Sequence, residues 1–591
     1  MLEAVSKSGA VALSDDVSLL ETQDALRTSL STDDAVSPPD ARMLPTKKPE
    51  RILWFYLAAI AAVALGGIAI ALWIRTKPTG HPDPANWFNV FYVLFARNEP
   101  AGLILVLAFA ALLAFWLGRG CPAFSRVWAP RPQFATVVLA LLVFLLATAG
   151  SSLVFHQHAL TADEHMADFQ AKIFLSGKIQ QEIPEFWRPM VRLIIPTHAA
   201  YDPAKHVWMS SYLPVYAALR AAFMSVGGEW LTNPLLAAAS IFALAGLTRN
   251  LWPQDRWKPV VAGTLLAVSP QFLVMSMTGY AMPAHLAFNL FWLWLYSDEK
   301  KKRFWLAPFI GVAALGLHQP FFHALFVTPF LARLVLSRRW KASAWFAAVY
   351  LIGIACWYLW WKRFFPAFSN SNSESAFGLY QRTVLVQGMY LALLAGWLAF
   401  PVPLLALLGF SQLRKLPPLL LDAAASCILT FGFYIFVRLD QAHGWGDRYF
   451  YGALGCLILI AVAGWDVLAE KIGRPAAATF VAFGAAAALF VQLPVRCFQA
   501  EDFVRPFASA SAAFQSSNAD VVAYEPRMAW YSADLRRNDP ALEKRPIIVS
   551  FFTMKEEEAT LLQKTFPRSR LISEDDLASF GLTTKRPAKA D

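Results

Sequence analysis

Thr161-Ala162-Asp163-Glu164 puts two adjacent carboxylates just beyond the outer end of an apolar run that closes near Phe155. Carboxylates at such a boundary are suited to moving a proton on or off a substrate. The same four residues also spell a helix start. Thr161 serves as N-cap and Glu164 follows at the capping-box position, and Asp163 falls in the first turn, where the helix dipole favours a negative charge. Asp168 and Lys172 are spaced i,i+4 as an ion pair would be. Further along, His318, Gln319, Pro320 and His323 form a polar insert between two apolar runs. Ionisable groups so placed are functional candidates, although a turn histidine has the same signature. Arg448 stands between Asp447 and Tyr449, and Arg382 closes the Ser/Asn-rich stretch Ala367–Arg382. No His/Cys/Asp spacing spells a metal site. Cofactor need is unassigned, and a divalent metal assisting a phosphate stays open.

The chain that positions these residues has 591 residues, a formal net charge of +11, 57% apolar residues and only 16% charged ones. Soluble domains carry about 25% charged residues. Mean hydropathy is +0.43. A disordered chain, a coiled coil and a nucleic-acid-binding globule are excluded, and no nucleic-acid partner is expected. The positive excess needs no acidic ligand, because Lys and Arg collect in cytoplasmic loops of membrane proteins. Five cysteines do not make a disulfide framework.

Residues 1–50 read as a disordered cytoplasmic tail. Because that polar tail precedes the first apolar run, the run is not a cleavable signal. Thirteen runs are expected to be helical: Leu53–Ile74, Gly102–Leu117, Phe134–Phe155, Leu231–Thr248, Val260–Met277, Met282–Tyr296, Phe304–Leu317, Phe321–Leu336, Ala342–Trp361, Val386–Phe410, Leu419–Val437, Tyr449–Trp465 and Ala476–Leu493. Ser211–Val226 is apolar but carries Pro214 and Arg220. An arginine at the bilayer centre costs about 2.5–3.5 kcal/mol. If this run does not span, the basic groups Arg249/Arg256/Lys258, Lys300–Arg303, Arg338/Arg339/Lys341, Arg414/Lys415 and Lys471/Arg474 all face the cytoplasm. If it spans, they face outward and the positive-inside rule fails repeatedly. It is therefore expected to be a re-entrant or surface-lying helix on the outer side.

The organisation that follows is a tail (1–50), two extra N-terminal helices (51–133), a helical core (134–493) with a large outer loop (156–230), and a small extracytoplasmic α/β domain (494–591). The outer loop holds five of the ten histidines. In the last segment, Val521–Tyr524 and Ile547–Phe552 read as short strands and Lys555–Thr565 as a helix. No internal repeat is visible.

Thr161–Glu164, followed by Asp168-Phe169-Gln170-Ala171 and Gly177-Lys178, resembles the first outer loop of the GT-C glycosyltransferases. The likeness is to the polyprenyl-phosphate-sugar branch that includes protein O-mannosyltransferases and lipid A aminoarabinose transferases. Ser211-Tyr212-Leu213-Pro214-Val215-Tyr216, Trp230-Leu231-Thr232-Asn233-Pro234-Leu235-Leu236, Ser269-Pro270-Gln271-Phe272 and Gly446-Asp447-Arg448-Tyr449 match further family stretches, in the same order. The family's tract usually has two consecutive prolines, where this chain has Pro214 alone, and two helices precede the acidic pair. The resemblance implies an all-α polytopic GT-C-like membrane protein of about thirteen transmembrane helices. It implies transfer of a sugar from a polyprenyl-phosphate donor to a lipid, glycan or protein acceptor, with inversion. Asp163 is then the candidate base and Glu164 its orienting partner. Arg448, Arg382, Lys172 and Arg192 are candidate holders of the donor phosphate, and Asp168, Tyr212, His318 and Tyr449 candidate acceptor or sugar contacts. The expected setting is a bacterial inner membrane, multi-pass, with the N-terminus cytoplasmic and the C-terminal domain periplasmic.

Two other classes compete. A secondary transporter or lipid flippase would carry charges inside its spans, whereas here they gather in one loop. An assembly scaffold would leave the acidic pair without a task.

Overall fold

A computed structural model describes residues 51–77, 90–122, 131–365, 378, 383–437, 441, 443–526 and 531–582. The expected N-terminal tail and the stretch Ala367–Arg382, with Arg382 itself, lie outside the described residues, apart from Gly378.

All thirteen expected runs are helical. In chain order they are α1 (Arg51–Arg75), α2 (Val90–Gly118) and α3 (Pro132–Leu153). The outer-loop helices α4 (Ala162–Leu175) and α5 (Val215–Met224) follow, then α6 (Thr232–Leu251), α7 (Trp257–Ala267), α8 (Pro270–Ser276), α9 (Met282–Tyr296), α10 (Ala307–Leu315), α11 (Phe321–Leu336) and α12 (Trp340–Phe364). The series ends with α13 (Thr383–Trp397), α14 (Pro401–Phe410), α15 (Pro418–Phe433), α16 (Leu454–Ile472), α17 (Arg474–Ala487) and α18 (Leu493–Gln515). Among the described residues, seven helices are long and apolar enough to cross a membrane unbroken, and two bent pairs raise the number to nine. Helices α9, α10, α11 and α15 fall short of that length, at nine to sixteen residues each. Two of them start late because polar turns, Thr278–Ala281 before α9 and His318–Pro320 before α11, take residues that a full span would use.

Proline sets many of these boundaries. It stands at the first or second position of α3, α8, α9, α10, α14, α15, α17 and α18, where its missing N–H costs nothing. Pro270 and Pro401 divide the bent pairs, α7 from α8 by 60° and α13 from α14 by 117°. The expected single helices Val260–Met277 and Val386–Phe410 are therefore each broken in two.

Helix α16 is the axis of the bundle, with 89% of its apolar window buried, and α12 is its rim, with 17%. Leu351, Ile352, Tyr358 and Leu359 of α12 face outward, as suits lipid. Glycines let α14 and α16 touch backbone to backbone. A Cβ on Gly464 would sit 1.8 Å from the Leu405 carbonyl oxygen. Close approach through small residues is a common means of packing membrane helices.

Helix α5 has ten residues, about 15 Å at 1.5 Å per residue, half the hydrocarbon thickness. Its Arg220 is not stranded. Arg220 Nε bonds Asp168 Oδ1 at 2.7 Å, its Nη1 donates to the Glu229 carbonyl, and its guanidinium lies over Trp230. Asp168 is thus committed to Arg220 rather than to Lys172, because α5 packs directly against α4. Lys172 is exposed.

The outer loop adds an antiparallel sheet of β1 (Gln181–Glu182), β2 (Ala199–Asp202) and β3 (Val207–Ser210), ordered β1-β3-β2. The C-terminal segment contains the expected strands and helix: β4 (Val521–Tyr524), β5 (Ile547–Ser550) and α19 (Glu556–Thr565). A third strand, β6 (Ser569–Ile572), and a last helix, α20 (Glu574–Ser579), complete it. Its sheet is parallel, ordered β5-β4-β6. α18 runs on from α17 through the π turn Ala488–Gln492, so the last apolar helix continues into this segment without a linker. Phe169, Trp187 and Trp208 of the outer loop share one core with Val521, Ile547 and Val549. The loop and the C-terminal segment therefore lie on the same face.

Candidate functional site

Helix α4 presents Asp163 in its first turn, after an extended Thr161. Asp163 Oδ2 accepts from Arg448 Nη1 at 2.7 Å, Oδ1 accepts from the Tyr212 hydroxyl, and His198 Nε2 stands 3.6 Å from Oδ1. Burial pushes the Asp163 carboxyl up, but Arg448, His318, the Tyr212 hydroxyl and His198 together outweigh it and hold it well below the usual carboxylate range. One-fifth of its side chain remains exposed.

Arg448 is buried and held from several sides. Its backbone N–H donates to Gln441 Oε1 at 2.8 Å and Nη2 to the Gln441 carbonyl at 2.9 Å. Its guanidinium lies 4.9 Å from the Tyr280 ring centre and 5.5 Å from that of Tyr449. It is not the exposed partner of Asp447, whose Oδ1 accepts from the Phe450 N–H. Tyr449 stacks on Tyr434 at 4.5 Å.

Tyr212 stacks on His318 with ring centres 3.9 Å apart. Burial carries the His318 imidazole down to about 4, so it is neutral at pH 7, and its Nδ1 has no hydrogen-bond partner among the described residues. His323 faces elsewhere, between Asn289 and Tyr350.

Glu164 has a different environment from its neighbour. It is 1% exposed, Oε1 accepts from the Gly279 N–H at 2.9 Å and Oε2 from the Thr161 N–H at 3.2 Å. Burial pushes its carboxyl up to about 7 against those two bonds. It fastens α4 to the turn before α9, and the capping-box reading of Thr161 and Glu164 describes it. Arg192 is also engaged elsewhere, with Glu558 and the Thr553 carbonyl. Asp163, Arg448, Tyr212, His318 and Tyr449 are thus brought together, and Lys172 and Arg192 are not among them.

The stretches whose order carries the sequence resemblance converge around this point. Tyr216 donates to Asn233 Oδ1 at 3.1 Å and to the Gly279 carbonyl at 2.9 Å. Asn233 Nδ2 donates to the carbonyls of Thr278 and Tyr280. Gln271 Nε2 donates to the Asp447 carbonyl at 2.6 Å. Gly446, at φ +92°, lies where a Cβ would stand 2.7 Å from the Gln271 amide carbon, so the turn before Arg448 needs glycine on both counts.

Sequence reasoning missed Gln441, Tyr280 and His198. Gln441 sits in the polar, glycine-broken run ahead of Arg448, which was a usable signal. His198 holds φ +61°, an uncommon conformation for a non-glycine residue, and nothing in the sequence marks it. Among the described residues, no group of three or more His, Cys, Asp or Glu side chains fits a metal ion.

The chain matches no family model and no curated protein. It is similar to the solved structure of apo ArnT from Cupriavidus metallidurans, with TM-score 0.48 and 14% identity over 75% of this chain and 89% of that one. For the same protein bound to undecaprenyl phosphate the values are 0.42 and 15%, over 74% and 89%. For the Archaeoglobus fulgidus oligosaccharyltransferase with zinc and sulfate they are 0.42 and 12%, over 69% and 62%. Both proteins are GT-C glycosyltransferases.

Proposed function

We propose that this protein is a membrane glycosyltransferase that moves a sugar from a polyprenyl-phosphate donor to an acceptor at the outer face of a bacterial inner membrane. The observation that carries this reading is the pairing of Arg448 with Asp163. It is a buried cation held for charge recognition by Gln441, Tyr280 and Tyr449, and its only carboxylate partner among the described residues is partly open to solvent. An arriving phosphate competes with that carboxylate for the guanidinium. Two residues beyond Arg448, Phe450 lines an apolar cleft of about 550 Å³, which also runs along Leu391, Ile428 and Phe431. A cationic head site beside an apolar cleft fits a phosphate on a long hydrocarbon chain.

In the transfer step, the bond between the anomeric carbon and the phosphate oxygen breaks, and the phosphate keeps the electron pair. The acceptor oxygen bonds the same carbon from the opposite face. Arg448 stabilises the leaving phosphate. Asp163 takes the proton of a hydroxyl acceptor. While paired with Arg448 it is a poor base, and loss of that pair to the phosphate raises its basicity, so donor binding prepares the base. A phosphate acceptor needs no strong base. In that variant the carboxylate positions the acceptor. No role for a metal is derived, since no group of His, Cys, Asp or Glu among the described residues composes a site.

The test is transfer of label from a synthetic polyprenyl-phosphate sugar by the purified protein, read by mass analysis of lipid and glycan fractions. Wild type should form product and Arg448→Ala should not. Equal product from both would overturn the reading.

A further inference from the structure

The 3-10 turn Ser532–Leu535 and the residues flanking it form the back wall of the site. Asp534 Oδ2 accepts the Ala162 N–H at 3.0 Å, at the first residue of α4 and next to Asp163. The Arg537 guanidinium donates to the Ala159 carbonyl and, through Nε, to the Asp534 carbonyl at 3.0 Å. Tyr531 hydrogen-bonds His443 Nδ1 at 2.6 Å. His443 Nε2 stands 3.3 Å from the Tyr280 hydroxyl, which accepts from Thr161 Oγ1 at 3.1 Å. The same Tyr280 ring lies under Arg448. One short segment thus reaches the helix start that bears Asp163 and the ring that seats Arg448.

That segment is itself fixed. The Tyr524 hydroxyl on β4 donates to the Ser532 carbonyl at 2.7 Å. Asn538 exchanges two 2.8 Å hydrogen bonds with the backbone of Ile548 on β5. Trp208 of the outer sheet donates to the Pro540 carbonyl at 2.9 Å. A carboxylate at the first N–H of a helix also suits the helix dipole.

We infer that the C-terminal segment is a working part of the site, in which Asp534, Arg537 and Tyr531 are positioning residues that hold α4 and Tyr280 so that Asp163 meets Arg448. The catalytic part of this inference rests on the transferase reading above, while the structural part does not. Asp534 touches no reacting atom. Its effect passes through the Ala162 amide to the direction of the Asp163 side chain.

Two measurements on the full-length protein in detergent test it. Asp534→Ala removes the acceptor, and Asp534→Asn keeps an oxygen in its place. Hydrogen exchange in peptides spanning 159–168 should quicken about tenfold in the Ala variant and stay near wild type in the Asn variant. With the synthetic donor, kcat should fall about 10–100-fold in the Ala variant with KM for donor near wild type, because small misplacements of a reacting group cost that much. Asn should restore most of kcat. Unchanged exchange in the Ala variant, or a raised KM with normal kcat, would overturn the inference. If Asp534→Ala folds poorly, Tyr531→Phe removes one hydroxyl and keeps the ring. It should lower kcat several-fold at constant KM, and a normal kcat counts against the proposal. Were wild type to transfer no sugar, the transferase reading would fall and the exchange result alone would decide the clamp.

Discussion

Asp163 and Arg448 are 285 residues apart in the chain and 2.7 Å apart in the folded protein. One lies in the first turn of an outer-loop helix and the other follows a glycine turn just ahead of α16, the most buried of the candidate spans. Neither has another oppositely charged carboxylate or guanidinium partner among the described residues. The contact neutralises two groups that would each be costly alone at a largely buried site.

Arg448→Ala should weaken donor binding as well as turnover. A hydrogen bond to a charged group is worth about 1.5–3 kcal/mol, or roughly 10–150-fold in affinity. Arg448→Lys should recover part of this, since a point charge replaces a planar fork. Titration calorimetry with the lipid donor measures it, and full rescue by Lys would contradict the forked contact.

Asp163→Asn should lower turnover with a hydroxyl acceptor about 10²–10⁴-fold. Donor affinity should hold or improve, because the competitor for Arg448 loses its charge. If Asp163 is only a helix-start acid, Asn loses about 0.3–1 kcal/mol of dipole stabilisation and transfer stays near normal. Steady-state kinetics and donor binding on the same preparation separate the two.

Glu164 predicts a pH dependence of stability. Its carboxyl titrates near 4.5 when unfolded and is pushed up to about 7 by burial in the fold. The folded state holds the proton more tightly, so this stabilisation is complete below about pH 4.5 and is lost as pH rises through 7. Within that window each pH unit is worth at most about 1.4 kcal/mol. Asp447, also pushed up to about 7, acts with the same sign. Buried histidines such as His318, held down at about 4 from an ordinary 6.5, act with the opposite sign, so the difference between proteins is the readout: the melting temperature of Glu164→Gln relative to wild type should rise from pH 5 to pH 8. A relative melting temperature that stays flat or falls over this range would refute the assignment.

Gly464→Ala should destabilise the bundle by about 1–3 kcal/mol, the usual cost of overpacking, because the new methyl meets the Leu405 carbonyl. Thermal unfolding reads the loss. Gly432, with open space around its Cα, is the control, and equal effects at both positions would contradict the close α14–α16 contact.

Topology has a direct check. Alkaline phosphatase fused at the C-terminus should be active and a fusion at Lys301 inactive. The reverse pattern would invert the orientation drawn from the basic loops.

The helices were legible because apolar runs and basic turns announce them, and Arg220 sets α5 apart from the runs expected to span. Pro270 and Pro401 stand inside the runs Val260–Met277 and Val386–Phe410, which the apolar pattern alone joins into single helices. Asp163 and Arg448 are singled out by the order of weak motifs. Their mutual contact is not, since nothing local to either residue encodes a partner hundreds of positions away. Lys172 is spaced to pair with Asp168, yet Arg220 takes that carboxylate through a tertiary contact. Asp534 and Arg537 sit in an ordinary polar loop, and only the shared core of the outer loop and the C-terminal segment brings them to α4.

That shared core has a consequence for synthesis. Asp534 follows Ala162 by 372 residues. At about 5–20 residues per second, the ribosome delivers it roughly 20–70 s after α4. During that time the apolar helices can insert while the helix bearing Asp163 lacks its back wall. A chain cut short before Tyr531 would own every candidate membrane span among the described residues and lack the back wall of the candidate site. On the proposed function, a nascent chain would lack that wall of its site until about the last tenth of the message has been read.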